Sequence, residues 1–247
     1  MSKNKGSVSK RQTIREKRRQ QQQRQRLVTI LLISVAALVI VGLLIAPSIR
    51  NALTPVGTIV QITPNPRPMA DGTAMGDPNA PVKVVVYEDF QCSACRNYSL
   101  SIEPLIVQNY VAPGKVYYEF QQFPFLDSNS PGNESHQAAT ASMCAAAQGR
   151  FWDYHDILFA NWIGENVGSF TDKRLVAFAE DLGLNIDEFN ACFKSNEFQN
   201  KINEDLAAGR SAGVNSTPSI FVNGQLVPPA YGQISQAIDI ALASAGK

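Results

Sequence analysis

The sequence predicts a mixed α/β domain with a helical block inserted in its middle, carried behind one apolar helix of membrane-spanning length. Three observations lead there. A C-x-x-C pair, Cys92-Ser93-Ala94-Cys95, stands between an apolar strand-like run and a helix-like pattern. After a second strand-like run and a long helical stretch, strand-like runs return near the C-terminus, joined by Asn223-Gly224. Leu27 to Ala46 is apolar throughout, broken only by Thr29, Ser34 and Gly42.

The first 46 residues hold ten Lys/Arg and one acid, Glu16; the rest of the chain holds 12 Lys/Arg and 20 Asp/Glu, so a basic head precedes an acidic body of net charge −8. The apolar run 27–46 has the length of about 20 residues that a helix needs to span a bilayer. Pro47 and Arg50 are expected to end it. The positive-inside rule keeps the basic head, residues 1–26, in the cytoplasm and sends residues 47–247 across the membrane. A cleaved signal peptide is the competing reading. Against it, the basic region is long, the apolar run exceeds the usual length of about 7–15 residues, and no clear A-x-A site follows. The Gln-rich basic head also admits nucleic-acid contact. Retention and orientation beside anionic lipid is the simpler reading, and no nucleic-acid partner is expected. The expected location is the plasma membrane, single-pass, with the catalytic domain extracytoplasmic.

Residues 47–80 are rich in Pro, Gly, Thr and Asn; Pro55, Pro64, Pro66, Pro68 and Pro78 discourage both helix and central strand. A semi-extended spacer is expected there. The short run Gly57-Thr58-Ile59-Val60-Gln61-Ile62 is the alternative, a segment pairing with a sheet edge. A compact domain is expected over 81–247. Val82–Tyr87 reads as a buried strand. Tyr98, Ile102, Leu105 and Ile106 then recur at helical spacing, and Val116–Phe123 alternates as a second strand. Helical patterns fill about 130–213: Ala138–Gln148, Phe151–Trp162, a helix capped by Thr171, Ile186–Phe193 and Phe198–Ala212. Asn223-Gly224 between Ser219–Val222 and Gln225–Val227 is a strong short hairpin signal. Ile234–Ala245 closes the chain as a helix.

All four cysteines, Cys92, Cys95, Cys144 and Cys192, fall in the part sent outside, where disulfides persist. Their even number fits two pairs. Cys92 stands where a helix begins, so unpaired N–H groups and the helix dipole favour its thiolate, the species that attacks disulfides. A zinc site fails on ligand arithmetic: Cys144 and Cys192 are far apart in sequence, and His136 and His155 have no ligand spacing. No metal and no organic cofactor are expected. A permanently closed structural bridge at Cys92–Cys95 is the other rival, and a strand-to-helix C-x-x-C argues for redox use. The aromatic residues around Trp152 and Trp162 read as helix core.

Thr217-Pro218 directly precedes the C-terminal hairpin. A proline there ill suits a central strand and suits a cis bond in a tight turn. The combination of C-x-x-C, T-P, strand and N-G resembles the thioredoxin superfamily. The helical block between the motifs makes it similar to the DsbA-like thiol:disulfide oxidoreductases over about residues 81–247. The resemblance implies a thioredoxin fold with an inserted helical domain. It also implies that Cys92 is the exposed nucleophile, Cys95 the buried resolving thiol, Pro218 the cis-proline facing the thiols and Thr217 the residue before it. Two departures stand out. Ser93-Ala94 supplies no His between the thiols, and the family's strand acid, six residues before the nucleophile, is Val86 here. Glu88 would face the same side of that strand. It is a candidate proton relay for Cys95; a solvated carboxylate at a strand end is the competing reading. Some members carry a structural disulfide in comparable helices, which implies Cys144–Cys192. Two unpaired buried thiols are the alternative.

The expected function is to introduce disulfides into exported proteins by dithiol/disulfide exchange at Cys92–Cys95. Expected partners are exported protein or peptide thiols, and a quinone-linked membrane reoxidase of the DsbB or VKOR type. A reductase or isomerase could use the same site, and a redox-silent binding or chaperone module could keep the same fold.

Overall fold

The computed structural model describes residues 10–53, 56–129 and 132–246. The outer part of the basic head (1–9), residues 54–55, the expected start of the helical insertion at 130–131 and Lys247 lie outside the described residues. The chain divides between Thr54 and Pro55 into two units.

The first unit is one helix, α1 (Lys10–Leu53). Its apolar side chains are exposed all round, Leu38 at 71 % and Leu44 at 73 %. A helix apolar on every face belongs in a larger apolar phase. Arg18–Ala46 is long and apolar enough to cross a membrane, by length and composition. The expected stop at Pro47 is corrected: α1 runs on to Leu53. A proline deletes one rung of the helical ladder, and the residues after it re-enter the ladder a turn later.

In the second unit, β2 (Val82–Glu88) and β3 (Val116–Gln122) run parallel at the centre of a five-stranded sheet ordered β1-β3-β2-β4-β5. β4 (Ser219–Val222) and β5 (Gln225–Val227) extend it antiparallel beyond β2, and the two-residue strand β1 (Ala74–Met75) covers β3. β3 alternates strictly between buried and half-buried residues, as a strand covered more closely on one face does. Asn223 and Gly224 both take positive φ (46° and 82°), the backbone a tight two-residue hairpin requires. Asn223 Oδ1 also accepts from Lys83 N at 2.8 Å, tying the hairpin to β2.

Helices cover this sheet. α2 (Ser93–Ser101), α3 (Glu103–Ile106) and a π-helical turn (Val107–Val111) connect β2 to β3. α9 (Tyr231–Ala245) packs on β4 through Ile234 and Ile238. The insertion follows a 3-10 turn (Leu126–Asn129) and contains α4 (Glu134–Ala146), α5 (Phe151–Ala160), α6 (Asp172–Asp181), α7 (Ile186–Ser195) and α8 (Gln199–Ser211). Small residues Ala138, Ala139, Ala141 and Ala145 let α4 sit buried among its neighbours. Thr171 is the N-cap of α6, yet its hydroxyl makes no capping hydrogen bond. Trp152 is buried in the common core and Trp162 packs against it half-buried.

The expected spacer is corrected over 56–80. This stretch lies on the domain and contributes β1 to its sheet. Val60 N donates to Asn161 Oδ1 at 2.7 Å, and Arg174 Nη1 donates to Val56 O at 2.5 Å. Arg67 reaches two buried carboxylates. The prolines exclude regular structure, but they leave side chains and carbonyls free to dock. The run 57–62, offered as an edge strand, is coil packed through Ile59 and Ile62.

Candidate active site

The sheet brings the two motifs together. β2 and β4 are antiparallel, with Tyr87 opposite Ser219. The chain leaving β2 toward Cys92 therefore lies beside the chain entering β4 from Thr217-Pro218. The Thr217–Pro218 peptide is cis. Between β2 and α2, Asp89 builds the turn: Oδ1 accepts from Gln91 N at 2.9 Å, Oδ2 from Leu126 N at 3.0 Å, and its carbonyl from Cys92 N at 2.9 Å. Burial pushes the Asp89 carboxyl up to about 6.

Cys92 is the N-cap of α2, with extended backbone (φ −73°, ψ 121°). Its thiol donates to Thr217 O at 3.3 Å. The expected exposure of this thiol is corrected: Cys92 is 8 % exposed, because the cis-proline loop lies against it. Ser93 and Ala94 are exposed, and Cys95 is fully buried. The two thiols are free and chemically unequal. The Cys95 thiol beside it and the N–H groups of Cys95 and Ala94 bring Cys92 down to about 6, against the opposing effect of burial. These are the donors a helix start leaves unpaired. Burial pushes the Cys95 thiol well above the ordinary range, helped by Cys92 and by the charge of Glu88.

Glu88 ends β2 fully buried, which removes the solvated-carboxylate reading. Burial drives its carboxyl well above the usual range; Glu103 and Cys92 add to the rise, and Cys95 and Arg67 oppose it. Neither oxygen has a hydrogen-bond partner. Among the described residues, the buried side-chain atoms without a partner are both Glu88 oxygens, Arg67 Nε, His155 Nε2 and Thr217 Oγ1. All of them lie in this site or in the polar cluster beside it.

The cluster was not anticipated. Glu103 is fully buried; its Oε1 pairs with Arg67 Nη1 at 2.5 Å, and its Oε2 accepts from Tyr118 Oη at 3.3 Å. Arg67 also holds Asp156 Oδ1 at 2.7 Å, and its guanidinium lies 4.6 Å from the centre of the Trp152 ring. Glu88, Glu103 and His155 each place an atom within 4.8 Å of the others. Three donors at that spacing would suit a cation, but Arg67 already neutralises Glu103 and the pocket is sealed from solvent. The sequence signal was an acid and a histidine among apolar neighbours, Glu103 between Ile102 and Pro104 and His155 between Tyr154 and the Asp156-Ile157-Leu158 run. Gln91 was also missed. Its carbonyl accepts from Trp162 Nε1 at 2.8 Å, its Oε1 accepts from Asn166 N at 2.6 Å, and its Nε2 donates to Ser135 Oγ at 2.9 Å. It ties the C-x-x-C turn to the helical insertion. Cys144 and Cys192 stand apart from the thiols in a disulfide joining α4 to α7 (Cα–Cα 5.8 Å).

The pair of unequal thiols beside a proline loop is a dithiol-exchange arrangement, and the chain as a whole is similar to known proteins. A family profile described as Thioredoxin matches residues 69–240. "Probable disulfide bond formation protein D" of Bacillus anthracis is 28 % identical over 168 residues, covering 67 % of this chain and 76 % of that protein. Oxidised BdbD from Bacillus subtilis superposes with a TM-score of 0.64 at 22 % identity, over 74 % of this chain and all of that one (100 %). Oxidised Mtb DsbA gives 0.54 at 26 % identity, over 71 % and 100 %. A profile that covers more than half of the chain, with relatives named for disulfide bond formation, shows that the chain belongs to the thioredoxin family, among its DsbA-like thiol:disulfide oxidoreductases.

Proposed function

We propose that this protein is an oxidase: membrane-anchored, with its catalytic domain outside the cytoplasm, introducing disulfides into exported proteins. The observation that carries the direction is the inequality of the thiols. A Cys92 thiolate stable near neutral pH favours the reduced pair, and a favoured reduced form makes the disulfide form a strong oxidant.

In the forward half-cycle a substrate thiolate attacks Cys92 of the Cys92–Cys95 disulfide. The S–S bond breaks, Cys95 leaves with the electron pair and takes a proton, and a mixed disulfide forms at Cys92. A second substrate thiolate attacks the substrate sulfur of that bond and expels Cys92 as its stabilised thiolate. The substrate loses two electrons and the enzyme gains them. Reoxidation passes those electrons to a membrane partner of the quinone-linked DsbB or VKOR type, through a mixed disulfide that Cys95 resolves. Glu88 relays the proton that Cys95 gains and loses. Thr217 and Pro218 hold the loop against which the substrate peptide lies, and Cys144–Cys192 is structural. The basic residues ahead of the apolar run support a cytoplasmic N-terminus at the plasma membrane.

Thiol trapping in intact cells tests the direction. An oxidase keeps Cys92 and Cys95 mostly disulfide-bonded at steady state; a mostly reduced pair would assign a reductase or isomerase instead. Cys95→Ala should accumulate mixed disulfides with the clients.

A further inference from the structure

Cys95 must shed a proton each time the pair is reoxidised, and it is fully buried. Glu88 beside it is fully buried as well, so Glu88 alone cannot deliver that proton to water. The path must continue through something else. Two of Glu88's neighbours are possible acceptors, and their partners distinguish them. Glu103 is occupied by Arg67 and Tyr118. His155 is half-occupied. Its Nδ1 lies 2.9 Å from Asp156 Oδ1, while Nε2 has no hydrogen-bond partner and stands 3.8 Å from Glu103 Oε2, beyond bonding distance.

Nδ1 faces Asp156, whose carboxyl burial works to raise but His155 and Arg67 hold low; a ring proton on Nδ1 completes that hydrogen bond and leaves the Nε2 lone pair toward the Glu88–Glu103 pocket. Asp156 is 8 % exposed, and its Oδ2 accepts from Asn65 Nδ2 at 2.9 Å where both line a surface groove. The other charged or titratable groups about His155 are Arg67 from the docked segment, Tyr118 from β3 and Tyr98 from α2, whose hydroxyl lies 3.3 Å from that of Tyr118. The ring itself is enclosed by Phe90, Phe120, Phe151, Trp152 and Phe159.

We propose that His155 is the second station of a proton path from Cys95 through Glu88 to Asp156 and the Asn65 groove. The inference rests on Glu88 serving Cys95. On reoxidation the Cys95 S–H bond breaks and Glu88 takes the proton. The Glu88 O–H bond then breaks and an N–H bond forms at His155 Nε2, across a gap of at most 4.8 Å that a side-chain rotation or one bridging water closes. The Nδ1 proton passes to Asp156 and on to solvent. His155 is left as the opposite tautomer. When the disulfide is next reduced, Cys95 draws a proton in along the same path and the first tautomer returns. The ring needs no flip, because the two halves of the redox cycle run the path in opposite directions.

The direct test reads the tautomer in the full-length chain in detergent, selectively nitrogen-labelled at histidine; with two histidines in the sequence, His136→Gln completes the assignment. The nitrogen shifts of His155 should report Nδ1–H in the reduced protein and Nε2–H in the oxidised protein. The same tautomer in both states, or a stoichiometric metal on Glu88 and His155, would overturn the proposal. Kinetics give a second arm. In oxidation by glutathione disulfide, His155→Gln should slow closure of the Cys92 mixed disulfide by Cys95 by about tenfold or more, as loss of a proton-transfer group does. It should leave alkylation of Cys92 within about twofold, and small imidazoles should rescue His155→Ala. If Glu88→Gln slows closure and His155→Gln does not, the Glu88 role stands and the onward path is wrong. If neither slows it, both fail.

Discussion

Cys92 owes its chemistry to position rather than to a charged neighbour. No histidine lies between the thiols; the thiolate is held by the Cys95 thiol and two backbone N–H groups at the start of α2. The unfolded chain keeps the Cys92 proton up to about 9.0, and the folded reduced protein loses it near 6. Between those values the unfolded state binds the extra proton, so stability rises with pH. The reduced protein should therefore gain on the oxidised one across this window, by up to about 4 kcal/mol at about 1.36 per unit. Denaturant unfolding of both forms at several pH values measures this. Glu88 has the opposite sign. Its folded carboxyl is raised, so its protonated form adds stability that is present at low pH and lost as pH rises toward the folded value. Glu88→Gln should flatten that loss and make the protein more stable at alkaline pH, while slowing the step in which Cys95 closes. The C-x-x-C and the facing of Glu88 were legible because local spacing and strand alternation fix them. The meeting of Arg67 with Glu103 and Asp156 was not, because no local pattern links residues 36 and 89 positions apart that meet only in the folded core.

At the scale of elements, strands β2–β5 and the hairpin could be read from apolar runs and from Asn223-Gly224. The end of α1 could not, since one proline does not outweigh helix formers on both sides. Glycine 209 shows what helical spacing alone conceals. It sits buried in α8, and a β-carbon there would lie 2.7 Å from the Phe123 ring and 3.0 Å from Tyr87. Alanine is the better helix former by about 1 kcal/mol, and overpacking costs about 1–3 kcal/mol. Gly209→Ala should therefore lower stability in chemical denaturation despite the gain in helix propensity. The Cys144–Cys192 bond closes a loop of 48 residues, for which chain entropy gives about 4 kcal/mol. Cys144→Ala should lower the melting temperature and leave turnover nearly intact, because the disulfide is no part of the thiol site. Loss of turnover at unchanged melting would assign it a catalytic part.

For the whole molecule, the stretch 56–80 is part of the domain rather than a tether. Its prolines read as a spacer because they forbid helix and strand, while its anchoring depends on partners far along the chain, Asn161, Arg174, Glu103 and Asp156. Arg67→Met would leave Glu103 and Asp156 buried without their counter-ion, a loss of about 3–5 kcal/mol. Urea titration of that variant should show the loss. A chain beginning at residue 82 should be destabilised in the same way, and one beginning at 56 should not.

The central claim is that one of two neighbouring thiols is ionised near neutral pH while the other is not. Measuring the alkylation rate of reduced Cys92 against pH, with thiolate ultraviolet absorbance followed in parallel, tests it most directly. One thiolate should appear with a midpoint near 6, and none should come from Cys95 in that range. A single midpoint near 9.0, the ordinary thiol value, would contradict it.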